Sequence, residues 1–315
     1  MYVRFFISLL IGGFAMTVGA DTLQERLGYG PDARLLLIHA DDAGMCHSEN
    51  MATIEAMEKG VVSTASIMMP CPWVPEIVKY SLEHPEADFG LHLTLNCEWH
   101  GYRWSSMAPK NQVPGLLDPT GYLWGGVEEA VAHATPEEVE CEIRAQVESA
   151  LKMGLKPTHL DTHMGTIYAR KEFLEAAVKV AQEHNIPFML LEPTPQVIER
   201  WGDRDFLKEE FIEKVRATGA PLLTALYSSY EHKSIEETCK EYCDIIRNLP
   251  PGVSQLIVHV GYEDEELKAV TGNWKIRSND LAIMLDPELR RVIEESGVKL
   301  IGWRALQEAW MKRKN

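Results

Sequence analysis

Short aliphatic runs alternate with longer amphipathic stretches along most of this chain. The run Leu35-Leu36-Leu37-Ile38 reads as a strand buried on both faces, as parallel sheets require. It ends abruptly in Ala40-Asp41-Asp42-Ala43-Gly44. Helical periodicity follows over 48–59, with Ser48 as the N-cap and Gly60 past the end. The rhythm then repeats. Strands are expected over 61–69, 88–96, 157–163, 187–191, 222–227, 255–259 and 299–303. Helices are expected over 75–83, 136–153, 171–185, 206–218, 235–248 and 286–296. Strands separated by helical patterns imply parallel βα units. Seven or eight such units predict a closed or nearly closed (β/α) barrel rather than an open sheet. The stretch 97–126 breaks the pattern. It contains Gly and Pro, is rich in aromatic residues, and reads as a loop inserted after the third strand.

Composition narrows the class. An apolar content of 45% in 315 residues supports one large α/β core. The net charge of −16, without any basic patch, argues against binding nucleic acid or an anionic membrane surface. Residues 1–20 have the form of a secretory signal peptide. Arg4 provides the positive start, an apolar stretch runs from Phe5 to Phe14, and Val18-Gly19-Ala20 supplies the small residues of a cleavage site. That stretch is shorter than the roughly 20 residues a membrane span needs. The expectation is one domain over 21–315, exported to the periplasm or the extracellular space, with an uncleaved N-terminal anchor as the alternative. The six cysteines show no CxxC or zinc-finger spacing and are expected as buried free thiols, with a single disulfide as the alternative.

Period two identifies the chemistry. At the carboxyl end of a parallel strand, adjacent Asp41 and Asp42 repel each other unless a cation lies beside them. In 89–95, Phe89, Leu91, Leu93 and Leu95 share one face, whereas Gly90, His92 and Thr94 share the other. In 158–163, His159, Asp161 and His163 stack on a single face. Three inward ionisable groups are costly unless they bind a metal or each other. The run 255–259 ends in His259, placed like the first strand's acids and suited to acid or base work near neutral pH. Arg277, in Trp274-Lys275-Ile276-Arg277, reads from pattern alone as a surface salt-bridge residue.

Several of these segments together resemble the YdjC-like (ChbG/HpnK) carbohydrate deacetylases, relatives of the polysaccharide deacetylases. The matching motifs are Ala40-Asp41-Asp42-Ala43-Gly44, Gly60-Val61-Val62-Ser63-Thr64-Ala65-Ser66, Gly90-Leu91-His92-Leu93-Thr94-Leu95 and His159-Leu160-Asp161-Thr162-His163. Within the inserted loop, 116–123 is similar to the family's L-L-D-x-x-G-x-[FL], and His259-Val260-Gly261-Tyr262 to its terminal H-P-G. The resemblance spans residues 34–305 and implies a distorted, TIM-like barrel holding one divalent metal ion, Mg or Zn. It also implies Asp42, His92 and His163 as metal ligands, Asp41 as general base on the attacking water, and His259 as acid for the departing amine. Arg277 would orient Asp41. Family members are often homodimers, so a homodimer is expected on resemblance alone.

The implied reaction is removal of N-acetyl groups from amino sugars or short oligosaccharides. A metallohydrolase of the same fold acting on another amide or ester, and a non-catalytic carbohydrate-binding protein, are the competing readings. Ala43 and Val260 depart from the family's aromatic and Pro, and Met164-Gly165 replace its usual Gln and His. These changes spare the ligands and reshape the pocket. In the insertion, Trp99, Tyr102, Trp104, Tyr122 and Trp124 either stack on sugar rings or pack the loop onto the barrel.

Overall fold

The structure is a computed structural model that describes residues 22–202 and 204–314. The signal segment expected over 1–20 lies outside the described residues. Seven parallel strands form one sheet: β1 (Arg34–Ala43), β2 (Thr64–Ile67), β3 (Phe89–Leu93), β4 (Leu160–Thr162), β5 (Ala225–Ser228), β6 (Gly252–Val258) and β7 (Lys299–Leu300). Their order is β4-β3-β2-β1-β6-β5, with β7 beside β1. The sheet curls, with helices packed around it, into the distorted TIM-like barrel the pattern predicts.

The aliphatic run of β1 is the axis of this arrangement. Leu35, Leu36, Leu37 and Ile38 are wholly buried. β1 pairs with β6 in unbroken register from Arg34–Gly252 to Ala40–Val258. Its other edge is shared, first by β7 at Leu35 and Leu36, then by β2 from His39 onward. The strand expected over 187–191 does not form a ladder. It makes only single bridges, Leu160 to Phe188 and Leu191 to Leu223, and so joins the β4 and β5 sides of the barrel loosely.

Helix starts follow local chemistry. Pro136 opens the helix Pro136–Lys152 behind a capping box of Thr135 and Glu138, and Ser234 with Glu237 does the same for Ile235–Arg247. Ser48 is not the cap expected of it. The first long helix begins one residue earlier (His47–Glu58), and Ser48 instead donates from its backbone N–H and its hydroxyl to Glu266.

Gly90 on β3 has a packing reason to be glycine. A Cβ there would lie 2.3 Å from the His159 ring, which itself stacks on Trp303. Gly90→Ala is expected to cost about 1–3 kcal/mol by overpacking, read as a shift in the denaturant midpoint.

The insertion is pinned rather than free. Trp104 is buried and donates its indole N–H to the Asn96 carbonyl, and Trp124 donates to Gly115 and stacks on His133. Glu142, buried in the helix Pro136–Lys152, accepts from the backbone N–H groups of Met107 and Ala108. Burial pushes its carboxyl up to about 7 despite those donors. Because the folded value lies above the ordinary one, this contribution to stability is present below about pH 4.5 and is lost as pH rises through about 7. The stability of the parent relative to Glu142→Gln should therefore fall by about 2 kcal/mol between pH 5 and 8, measured by unfolding at each pH. All six cysteines are free thiols, in agreement with their spacing, but Cys141 and Cys239 are half-buried rather than buried.

Candidate metal centre and active site

Successive side chains of a regular strand face opposite ways, so Asp41 and Asp42 could not both look into the barrel. β1 solves this by breaking register. Its pairing with β2 shifts between Ala40 and Ala43, and Asp42 adopts φ 70°. That left-handed conformation is costly for most residues and better tolerated by Asp. Both carboxylates then line one cavity of about 440 Å³ at the carboxyl ends of the strands.

Three buried groups converge there. Asp42 Oδ1 lies 3.4 Å from His92 Nε2 and 3.2 Å from His163 Nδ1. The opposite ring nitrogens are engaged, His92 Nδ1 by Asp161 Oδ1 at 2.7 Å and His163 Nε2 by Glu98 Oε2 at 2.9 Å. An ionised carboxylate only accepts hydrogen bonds, so we assign the ring protons to His92 Nδ1 and His163 Nε2. Once a cation displaces the facing protons, the lone pairs of His92 Nε2 and His163 Nδ1 look towards Asp42, whose Oδ1 has no hydrogen-bond partner among the described residues. One ligand atom from each of Asp42, His92 and His163 lies within 4.8 Å of the others. An orphaned buried carboxylate oxygen between two oriented imidazoles fits a divalent cation, with Asp161 and Glu98 as the outer carboxylates that fix ring orientation.

The electrostatics point the same way. Burial disfavours charging His163, yet Glu98 and Asp42 outweigh it and hold the imidazole up at about 10. Burial likewise opposes charge on His92, and Asp41 and Asp161 raise it all the same. The pocket attracts positive charge, for which a cation competes with protons.

Arg277 corrects its expectation. It belongs to the helix Trp274–Met284, is only 1% exposed, and bonds Asp42 Oδ2 at 2.6 Å and Glu49 Oε1 at 2.9 Å. It is neither a surface residue nor the partner of Asp41; it braces Asp42. Burial pushes the Asp42 carboxyl up, but Arg277 and His163 hold it well below the usual carboxylate range.

Asp41 has a different partner. His39 Nε2 lies 3.0 Å from Asp41 Oδ1 and 2.9 Å from Asp161 Oδ2. Burial opposes charge on His39, but Asp161 and Asp41 raise it to about 10, so it sits as an imidazolium between two acids. A continuous line, His92–Asp161–His39–Asp41, thus joins a candidate ligand to the candidate base. Asp41 Oδ2 also lies 3.9 Å from Nε2 of His259. Burial pushes His259 down to about 4, so its resting ring is neutral. Its backbone N–H donates to Asp280, and its ring packs against Tyr230.

Residues 35–295 match the family model described as YdjC-like protein. The chain belongs to the YdjC-like family. Among curated relatives, a carbohydrate deacetylase of Thermus thermophilus is 32% identical over 91% of this chain and 98% of its own length. One of Brevibacillus brevis is 28% identical over 84% of this chain and 97% of its own. A crystal structure from Enterococcus faecalis V583, named for cellobiose-phosphate cleavage, shares the fold with a TM-score of 0.73. It is 24% identical and covers 87% of this chain and 99% of its own.

In this YdjC-like barrel, Asp41, Asp42, His92, His163, His259 and Arg277 all line the one cavity, as the motifs imply. His159 does not. It is buried behind the cavity against His39 and Trp303, and β4 ends at Thr162, so His163 stands on the turn that follows. Of the five aromatic residues of the insertion, Trp99 alone lines the cavity; Tyr102, Trp104 and Trp124 pack the loop, and Tyr122 lies under Arg103 at the surface. Sequence reasoning missed His39, Glu49 and Glu98. For His39 a signal existed, since it shares a strand face with Asp41.

Proposed function

We propose that this chain is a metal-dependent hydrolase that removes acetyl groups from N-acetylated amino sugars or short oligosaccharides. The observation that carries this reading is one cavity holding two separate kinds of carboxylate. Asp42 faces two imidazole lone pairs, whereas Asp41, held by His39, stands beside them and outside that donor set. The names of the relatives support the substrate class.

A divalent ion on Asp42, His92 and His163 would polarise the acetyl carbonyl and acidify an attacking water. Two imidazole donors favour Zn over Mg, which prefers oxygen ligands. Asp41 takes the water's proton. His259, neutral at rest, cannot donate until a proton arrives, and Asp41 Oδ2 is 3.9 Å away to supply it. His259 then protonates the leaving amine. Arg277 keeps Asp42 ionised, and His39 keeps Asp41 in place. We further propose a single exported domain, on the strength of the pattern in residues 1–20.

The test follows N-acetylglucosamine oligomers incubated with the metal-loaded protein. Free amines are expected to appear on sugars whose glycosidic bonds stay intact. Shortened sugars that keep their acetyl groups would overturn the reading in favour of glycosidic cleavage.

A further inference from the structure

A second group of donors lies behind the cavity. His39 and Asp41 of β1 meet Asp161 of β4 there, with His159 just ahead of β4, and all four are buried. His39 Nε2 is crowded by acceptors: Asp161 Oδ2 at 2.9 Å, Asp41 Oδ1 at 3.0 Å and Ser66 Oγ at 3.0 Å. A ring nitrogen carries one proton, and one proton cannot serve three oxygens. Asp41 Oδ1 is left without a hydrogen-bond partner among the described residues.

His159 faces the same point. The Thr158 hydroxyl donates to Asp88 Oδ1 at 2.5 Å, so its oxygen accepts from His159 Nδ1 at 3.0 Å. Burial pushes the His159 imidazole down, and its neutral ring therefore carries the lone pair on Nε2. That atom lies 3.7 Å from Asp161 Oδ2, too far for a hydrogen bond, and has no partner among the described residues. One ligand atom from each of His39, His159 and Asp161 lies within 4.8 Å of the others. Tetrahedral zinc bonds of about 2.0 Å hold neighbouring ligand atoms about 3.3 Å apart. The separations of 2.9, 3.0 and 3.7 Å around His39 and Asp161 differ from that by only a few tenths.

We propose a second, inhibitory zinc site: an ion held by His39 Nε2, His159 Nε2 and Asp161 Oδ2, which takes Asp41 Oδ1 as its fourth ligand. Asp161 keeps its Oδ1 on the His92 ring, so the site shares no ligand with Asp42, His92 and His163. Asp41 lines the cavity, and the ion enters past it. The Nε2 proton of His39 leaves to solvent by the same route. Because that proton must be displaced first, this site fills after the one at Asp42. An Asp41 carboxylate bound to the ion no longer takes a proton from water. Inhibition by excess zinc rests on the hydrolase reading above; the site itself does not.

The experiment dialyses the parent protein to equilibrium against rising free zinc and follows acetate release from N-acetylglucosamine oligomers over the same range. The expected result is a second bound equivalent whose filling lowers kcat toward the level of an enzyme without its base, about 10²–10⁴-fold. Excess magnesium, which prefers oxygen ligands, should not inhibit. His159→Gln should raise the zinc concentration for half-inhibition about tenfold or more and weaken the second equivalent alike. His159→Phe, which keeps a ring stacked on Trp303, should do the same. A parent that binds one equivalent at every zinc concentration overturns the site whether or not either variant folds. Inhibition and second-site affinity unchanged in a folded His159 variant overturn it as well. If nothing is turned over, the hydrolase reading falls alone, and dialysis of parent and variant still decides the site.

Discussion

Asp41→Asn is expected to lower kcat by about 10²–10⁴-fold, the usual worth of a general base, while the protein still binds one divalent ion. Asn matches Asp in shape, but it cannot take a proton from water. Asp41 lies outside the converging set of Asp42, His92 and His163, so affinity for the ion should change only a few-fold. Acetate release gives the first quantity and calorimetry the second. The contrary result is informative about geometry. Asp41 also lies within reach of His92 and Asp161 as a second candidate group, and loss of the ion in Asp41→Asn would move the metal there.

The largest loss of stability is expected for Arg277→Met. Its guanidinium lies between Asp42 and Glu49, and all three side chains are almost wholly buried. Removing one partner of a buried ion pair costs about 3–5 kcal/mol, because the remaining charge loses its compensation. The sign with pH is definite. In the parent, Asp42 is held well below its ordinary value by Arg277 and His163 against burial. Without Arg277, burial raises the carboxyls, so the variant's folded state favours their protonated forms. Its deficit should grow as pH rises from about 4 to 8. Denaturant unfolding across that range measures it. A deficit independent of pH would contradict the buried triad.

Much of this was legible because the barrel repeats one grammar. Aliphatic strands ending in acids or histidines place His92, His163, Asp41, Asp42 and His259 at one end of the sheet, and their position at strand ends reads that directly. Where the chain departs from the grammar, pattern reading fails for physical reasons. The segment 187–191 is apolar enough for a strand but finds only single bridges on each side. The helix Trp274–Met284 buries Arg277, Asn279 and Asp280 along with its apolar residues. It therefore shows no apolar stripe, and the family resemblance, not the periodicity, is what points to Arg277 being inside. The bulge at Asp41 and Asp42 is a break in the very periodicity used to assign faces. Glu98 lies in the insertion, where no repeat reports orientation, and only the folded chain brings it to His163.

The most direct test of the central claim is acetate release from N-acetylglucosamine oligomers by protein stripped with a chelator and then titrated with zinc. The account predicts no release from the stripped protein and recovery that saturates at one equivalent, with Asp42→Asn failing to recover. Release that continues undiminished after stripping, or recovery that is equally complete in Asp42→Asn, would contradict it.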